Sequence, residues 1–144
     1  MAKRRRKPNL KKPNSLTWRN KSDRAWKARI VSAGACAVCG RTSEYVQLHP
    51  HHIITCTNLR FRHDLRNGVC LCATHHTVGS YRENICAHGD LHQVKNFEDW
   101  LCNERFDQWH WWCKHRDDKS QHEKTYQECY EEIIETDMST LWEK

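Results

Sequence analysis

A small α+β fold is predicted from three observations. The chain has 144 residues, enough for one domain, but only 38% are hydrophobic and its mean hydropathy is −0.97. A core of that composition is modest and gains from a staple. Segments 44–54 and 69–72 read as two short strands set among helical stretches. Two pairs of ligand-type residues, Cys36-Ala-Val-Cys39 and Cys72-Ala-Thr-His75, bracket those strands with the same two-residue gap. The seven Trp residues argue against a wholly disordered chain.

The elements follow in order. Residues 1–17 are a basic arm, disordered by composition, with Lys3, Arg4, Arg5, Arg6 and Lys7 near Pro8 and Pro13. Ser22 is the expected N-cap of a helix over 22–33, with Asp23 in its first turn. Trp26 and Ile30 share a face of that helix, and Gly34 stands where it stops. Residues 44–54 are rich in β-branched and aromatic types and form the first strand, 55–66 an Arg-rich loop, and 69–72 the second strand. A helix begins near Thr74 and is interrupted near Gly79. After 93 the chain is helical: Phe97, Trp100, Leu101 and Glu104 keep helix spacing, as do Tyr126, Cys129, Tyr130, Ile133 and Ile134. Trp100, Trp109 and Trp112 are the expected core residues there. The resulting division is an arm over 1–17, a central unit over 18–92 and a helical, acidic extension over 93–144.

Charge divides the chain as well. Residues 1–82 hold 17 Lys/Arg against 3 Asp/Glu, whereas 83–144 hold 7 against 15. The first half suits a polyanion, and its arm can neutralise phosphates without reading sequence. The acidic helices would be repelled by that partner, so they are expected to face away from it. They offer a surface for a protein partner or a second copy. No apolar run is long enough to span a membrane, and none follows the basic N-terminus as a secretory signal requires. Nine Cys in such a chain point to a reducing, cytoplasmic compartment and to thiols used for metal.

Cys36, Cys39, Cys72 and His75 together make a Cys₃His tetrahedron for a structural Zn2+. Four protein ligands close the shell and leave no open position for chemistry. A redox CxxC competes with this reading but lacks a surrounding βαβ pattern, and scattered reduced cysteines are the other alternative.

Between the two half-sites lies His49-Pro50-His51-His52-Ile53-Ile54, then Asn67, and His76 directly follows His75. Four separated pieces thus occur in order over about 18–92. They are Trp26 with its helix into Cys36-x-x-Cys39, then His51-His52-Ile53, then Asn67, then Leu71-Cys72-x-x-His75-His76. In these pieces the chain resembles the HNH nuclease family, and Leu59 through His88 is similar to HNH proteins carried by phages. The resemblance implies a zinc-stabilised ββα-metal (His-Me finger) nuclease core, here with an N-terminal helix and a C-terminal helical extension. It implies a DNA endonuclease in which His52 is the general base, Asn67 occupies the middle position, and His51 and His76 hold a divalent ion. Neutral imidazole suits the base role, and adjacent His51 and His52 point to opposite faces of an extended segment. Asn67 can pin the loop or orient the His52 ring. Phosphodiester hydrolysis in the family leaves 5′-phosphate and 3′-hydroxyl ends.

The chain departs from the family pattern in two places. His75 stands where a fourth Cys is more usual, and Ser80 stands where a further metal-binding His is common. His88 is the candidate to complete the catalytic metal site, Asp64 a weaker one, and His49 has no assigned role. The metal can be Mg2+, Mn2+, Ni2+ or Zn2+. Arg60, Arg62 and Arg66 flank Asn67 and, with Arg4, Arg5 and Arg6, are the expected DNA contacts. His110-x-x-Cys113 is a poorly spaced second zinc candidate. The alternative function is a zinc-stabilised DNA-binding protein without cleavage; a metal-sensing or partner-binding zinc protein is a third reading. If the chain is phage-encoded, its compartment is the host cytoplasm.

Overall fold

A computed structural model describes residues 12–79 and 84–143. Arg4, Arg5, Arg6 and Ser80 lie outside the described residues.

Helix α1 spans Leu16–Val31 and starts earlier than expected. Ser15 is its N-cap, accepting from the Trp18 amide, because nothing between Leu16 and Lys21 interrupts the helix. Ser22 is instead buried in mid-helix, where its hydroxyl donates to the Tyr126 carbonyl at 2.7 Å, with the Trp18 carbonyl a second acceptor at 2.9 Å. Ser22, Trp26 and Ile30 are spaced by four and form the buried face of α1.

Strand β1, Leu48–His52, is shorter than the expected 44–54. Residues 44–47 belong to turns: the Tyr45 and Val46 amides both bond the Thr42 carbonyl, and Tyr45 is exposed. At the other end Asn67 captures the Ile54 backbone and pulls the chain out of the ladder. Strand β2, Gly68–Cys72, pairs antiparallel with β1 in the register His52↔Gly68, His51↔Val69, Pro50↔Cys70, His49↔Leu71, Leu48↔Cys72. Every residue of β2 is buried. Gly68 is required by close approach: a Cβ there would collide with Ile30 and lie 3.0 Å from Trp26.

The helix expected from Thr74 is a single wide turn over Thr74–Val78, closed by the Gly79 amide on the Thr74 carbonyl at 2.8 Å. Helices α2 (Leu91–Glu104), α3 (Phe106–His115) and α4 (Tyr126–Glu135) follow. Capping boxes start α2 at Asp90 with Gln93, and α4 at Thr125 with Glu128.

Three apolar clusters hold these pieces together, and residues on both sides of position 93 build each of them. Phe97 and Leu101 of α2 pack with Cys36, Val69, Leu71 and Cys72. Ile133 of α4 joins Trp26, Ile30, Leu65 and Cys70. Trp111 of α3 joins Ile54 and Phe61. The boundary expected at 93 is therefore not a packing boundary. Trp111 is the buried indole of the extension, whereas Trp100, Trp109 and Trp112 are only partly buried. The acidic α4 lies along the basic α1, and the Arg29 guanidinium donates to the Thr136 carbonyl past its end. Among the described residues no helix is long and apolar enough to cross a membrane.

Candidate metal centres and active site

Two groups among the described residues bring metal-ligating atoms within 4.8 Å of one another. The first is Cys36, Cys39, Cys72 and His75, which can hold a metal ion such as zinc. Its first half is a tight turn: the Gly40 amide bonds the Cys36 carbonyl at 2.8 Å, and Gly40 takes φ 71°, which favours glycine. The Ala37 amide then bonds the Cys70 carbonyl at 2.8 Å and docks the turn on β2. His75 Nδ1 lies 3.2 Å from Cys72 Sγ and 3.6 Å from Cys36 Sγ, and Cys39 Sγ lies 4.0 Å from Cys72 Sγ. Burial alone would raise the Cys36 thiol, but bonds from His75 and from the Cys39, Cys72 and Val38 backbone bring it down to about 6. Burial and the neighbouring Cys36 and Cys72 push Cys39 up to about 11. Thiolates at this spacing repel one another, and a cation between them removes that obstacle.

The second group is His51, His76 and His88. His51 projects from β1 into the buried side, with Phe97 edge-on to its ring. His76 comes from the turn after β2. His88 reaches the group because the chain returns alongside that turn: the Ala87 amide bonds the His75 carbonyl at 2.9 Å, and the His88 amide bonds the His76 carbonyl at 3.0 Å. His51 Nδ1 is buried with no hydrogen-bond partner. Burial, then the neighbouring His88 and His76, lower His51 to about 3; burial, then His88 and His49, lower His76 to about 4. His51 and His76 are thus neutral at pH 7, and ligating nitrogens of all three rings lie within 4.8 Å of one another, so the residues fit a divalent ion. Asp64 is not part of the group; it caps the short turn Leu65–Asn67 and pairs with Arg66. His110 and Cys113 form no metal-type group among the described residues.

His52 lies on the opposite side of β1 from His51. Its ring stacks on Trp26 with centroids 3.7 Å apart and planes within 5°. Its Nε2 lies 2.8 Å from the Arg62 carbonyl. A carbonyl only accepts, so Nε2 carries the proton and Nδ1 keeps its lone pair. Burial lowers this imidazole to about 4, against the opposing pull of the Arg62 carbonyl, and keeps it neutral at pH 7. The Arg62 side chain is itself clamped: Nε and Nη2 donate to the two oxygens of Asp23 at 2.8 and 2.9 Å. His63 Nε2 shares Asp23 at 2.7 Å. Trp26 is fixed by its indole N–H on the Asp64 carbonyl at 2.9 Å. Neither this stack nor the Asp23 clamp follows from the sequence; Trp26 on the helix face shared with Ile30 is their only trace there.

Asn67 is fully buried, and its side chain bonds the loop backbone instead of His52. Its Oδ1 accepts from the Ile54 amide at 2.6 Å, and its Nδ2 donates to the Ile54 and Phe61 carbonyls at 2.9 and 3.0 Å. It therefore pins the loop, which makes it a positioning residue. The loop arginines are all paired: Arg60 with Asp118 at 3.3 Å, Arg62 with Asp23, and Arg66 with Asp64 at 2.8 Å.

Comparison with protein-family models, with curated proteins and with solved structures yields no match.

Proposed function

We propose that the protein is a metal-dependent DNA endonuclease of HNH type, with His52 as general base. One observation carries this reading. His52 is held on two sides, by Trp26 and by the Arg62 carbonyl, with Nδ1 left to accept a proton. One residue away on the same strand, His51, which has an unpartnered buried nitrogen, opens a cluster of three imidazoles.

In this role His52 Nδ1 takes a proton from a water as its oxygen bonds phosphorus. The bond from phosphorus to the 3′ oxygen breaks, that oxygen gains a proton from solvent, and the strands end in 5′-phosphate and 3′-hydroxyl. His51, His76 and His88 would hold the divalent ion, which when bound stabilises charge on the phosphate and the departing oxygen. An all-imidazole donor set suits Zn2+ or Ni2+ better than Mg2+ or Mn2+. Trp26 and the Asp23–Arg62 clamp keep the His52 ring in one orientation, and Asn67 keeps the Ile54 and Phe61 backbone in place. Cys36, Cys39, Cys72 and His75 serve as a closed structural Zn2+ site.

DNA is the proposed partner. Arg4, Arg5 and Arg6 would meet phosphates through the basic arm. Arg60 and Arg66, whose ion pairs are more exposed than that of Arg62, can exchange a carboxylate for a phosphate, while Arg62 serves the His52 clamp.

The test is conversion of supercoiled plasmid by wild type and His52→Ala, with Mg2+, Mn2+, Ni2+ or Zn2+ added singly. Wild type should produce nicked or linear DNA, and the variant should be slower by about 10²–10⁴-fold with an unchanged circular dichroism spectrum. Equal cutting by the variant removes His52 from the reaction. DNA retained but uncut with every metal would make the chain a zinc-stabilised DNA-binding protein.

A further inference from the structure

A cavity of about 650 Å³ opens beside the His52 clamp, between loop 53–60 and segment 112–126. Its position ties it to the active site along the chain, because Ile53 and Ile54, which follow His52 directly, form part of its wall. Consecutive Cα atoms are about 3.8 Å apart, so that wall begins within one or two residues of the base. The two sides are fastened together: Asn58 Nδ2 donates to the Asp118 carbonyl at 2.8 Å, and Arg60 Nη1 donates to Ser120 Oγ at 2.5 Å. The cavity is thus shaped by hydrogen bonds of the protein itself.

Its chemistry is divided. Ile53, Ile54 and Leu59 supply an apolar side, and Trp112 a flat aromatic surface with the Arg116 guanidinium stacked 4.8 Å from its ring. Arg60, Arg116, Lys119 and Lys124 supply positive charge, and none of the residues lining the cavity is Asp or Glu. Arg60, Arg116 and Lys124 have carboxylate partners just outside, in Asp118, Asp117 and Glu132. Lys119 has no acidic partner among the described residues and is exposed. A flat apolar slot with cations around it matches a nucleotide, whose base stacks and whose phosphate is anionic.

We propose that this cavity seats an unpaired nucleotide of the DNA strand beside the cleaved bond, so that the preferred substrate is DNA with single-stranded character. This rests on the nuclease reading for its link to cleavage, but the binding can be measured without any cutting. A paired base is stacked inside the duplex and cannot enter a slot of this kind without leaving its stack.

The experiment measures fluorescence anisotropy of a labelled oligothymidylate and of a labelled blunt duplex of equal length. Wild type, Lys119→Glu and Trp112→Ala, all with zinc bound, are compared at one salt concentration. Wild type should prefer the single strand, and each variant should weaken single-strand binding by about tenfold while changing duplex binding by less than about twofold. Lys119 is exposed, so its variant stays folded if Trp112→Ala does not. Equal affinity of wild type for both DNAs, or unchanged single-strand binding by Lys119→Glu, overturns the proposal. Displacement by thymidine monophosphate as efficiently as by the strand overturns it in favour of a mononucleotide site. Displacement by polyglutamate to the same degree overturns it in favour of a charge-only groove. Single-strand preference without plasmid cutting would sink the nuclease reading and keep the nucleotide site; cutting without the preference would do the reverse.

Discussion

His75 and His76 are neighbours on one turn, yet they serve clusters of opposite character. His75 turns into a buried group with three thiols; His76 turns into a group of three imidazoles whose third member, His88, is exposed. The thiol group offers four donors and seals them under Phe97, Leu101 and β2. The imidazole group offers three and reaches the surface. Donor number and exposure, more than residue type, separate an ion that holds a fold from one that meets a substrate. The same distinction orders the experiments that can break the comparison.

The largest effect should come from the thiol group. Cys72→Ala, or a strong chelator on the wild type, should abolish the cooperative thermal transition seen by circular dichroism, since a structural Zn2+ contributes about 10 kcal/mol or more to folding. A variant that melts normally would show that the group is not a staple.

Asn67→Ala comes next, because it leaves the Ile54 amide and two carbonyls unpaired in a buried place. About 3 kcal/mol of stability should be lost in urea unfolding, and plasmid cleavage should fall with it. A variant that keeps its stability but loses cleavage would assign Asn67 to the substrate instead of to the loop.

His88→Ala should leave stability within about 0.5 kcal/mol, as expected of an exposed residue. Binding of Ni2+ or Zn2+ to the imidazole group, followed by calorimetry on zinc-loaded protein, should weaken by about 10²-fold or more. Unchanged binding would remove His88 from the ligand set.

The smallest effect concerns acid. Burial would raise the Asp23 carboxyl, but Arg62 and His63 outweigh it and hold the group at about 2, below its ordinary 3.8. Its contribution to stability is therefore complete above about pH 4 and is lost as pH falls toward 2. Protons compete with zinc for thiol and imidazole ligands, so zinc should leave in milder acid than the clamp fails. Asp23→Asn should lower the urea midpoint of the zinc-loaded protein at pH 7, where the clamp contributes in full. An unchanged midpoint would mean that the clamp contributes nothing measurable.

Local pattern and distant contact were unequally legible in the sequence. The two Cys/His pairs could be read because a two-residue gap alone brings two donors together. The strands could be read in outline, but 44–47 carried strand-type residues into turns, because burial and not propensity decides where a ladder stops. His88 could be only a candidate: it reaches His51 through backbone bonds from 87–88 to 75–76, which no spacing reveals. Arg60 and Arg62 looked free because Asp118 and Asp23, their partners, are about 40 to 60 residues distant in sequence. Trp111 is not distinguishable from the other Trp residues by sequence, since α3 is rich in aromatics and only packing selects the inward one.

The Cys70 carbonyl is taken by Ala37 and the Gly68 carbonyl by Gln108, so both point away from β1, while the Ile53 amide bonds the Asn67 carbonyl. Pro50, opposite Cys70, therefore occupies a place where a missing N–H is harmless. Sliding β1 by a single residue would bring Pro50 into the ladder, delete one of its few bonds and exchange the sides of His51 and His52. The proline acts as a frame marker: it penalises the misalignment that would turn His51 toward Trp26 and His52 toward the imidazole cluster.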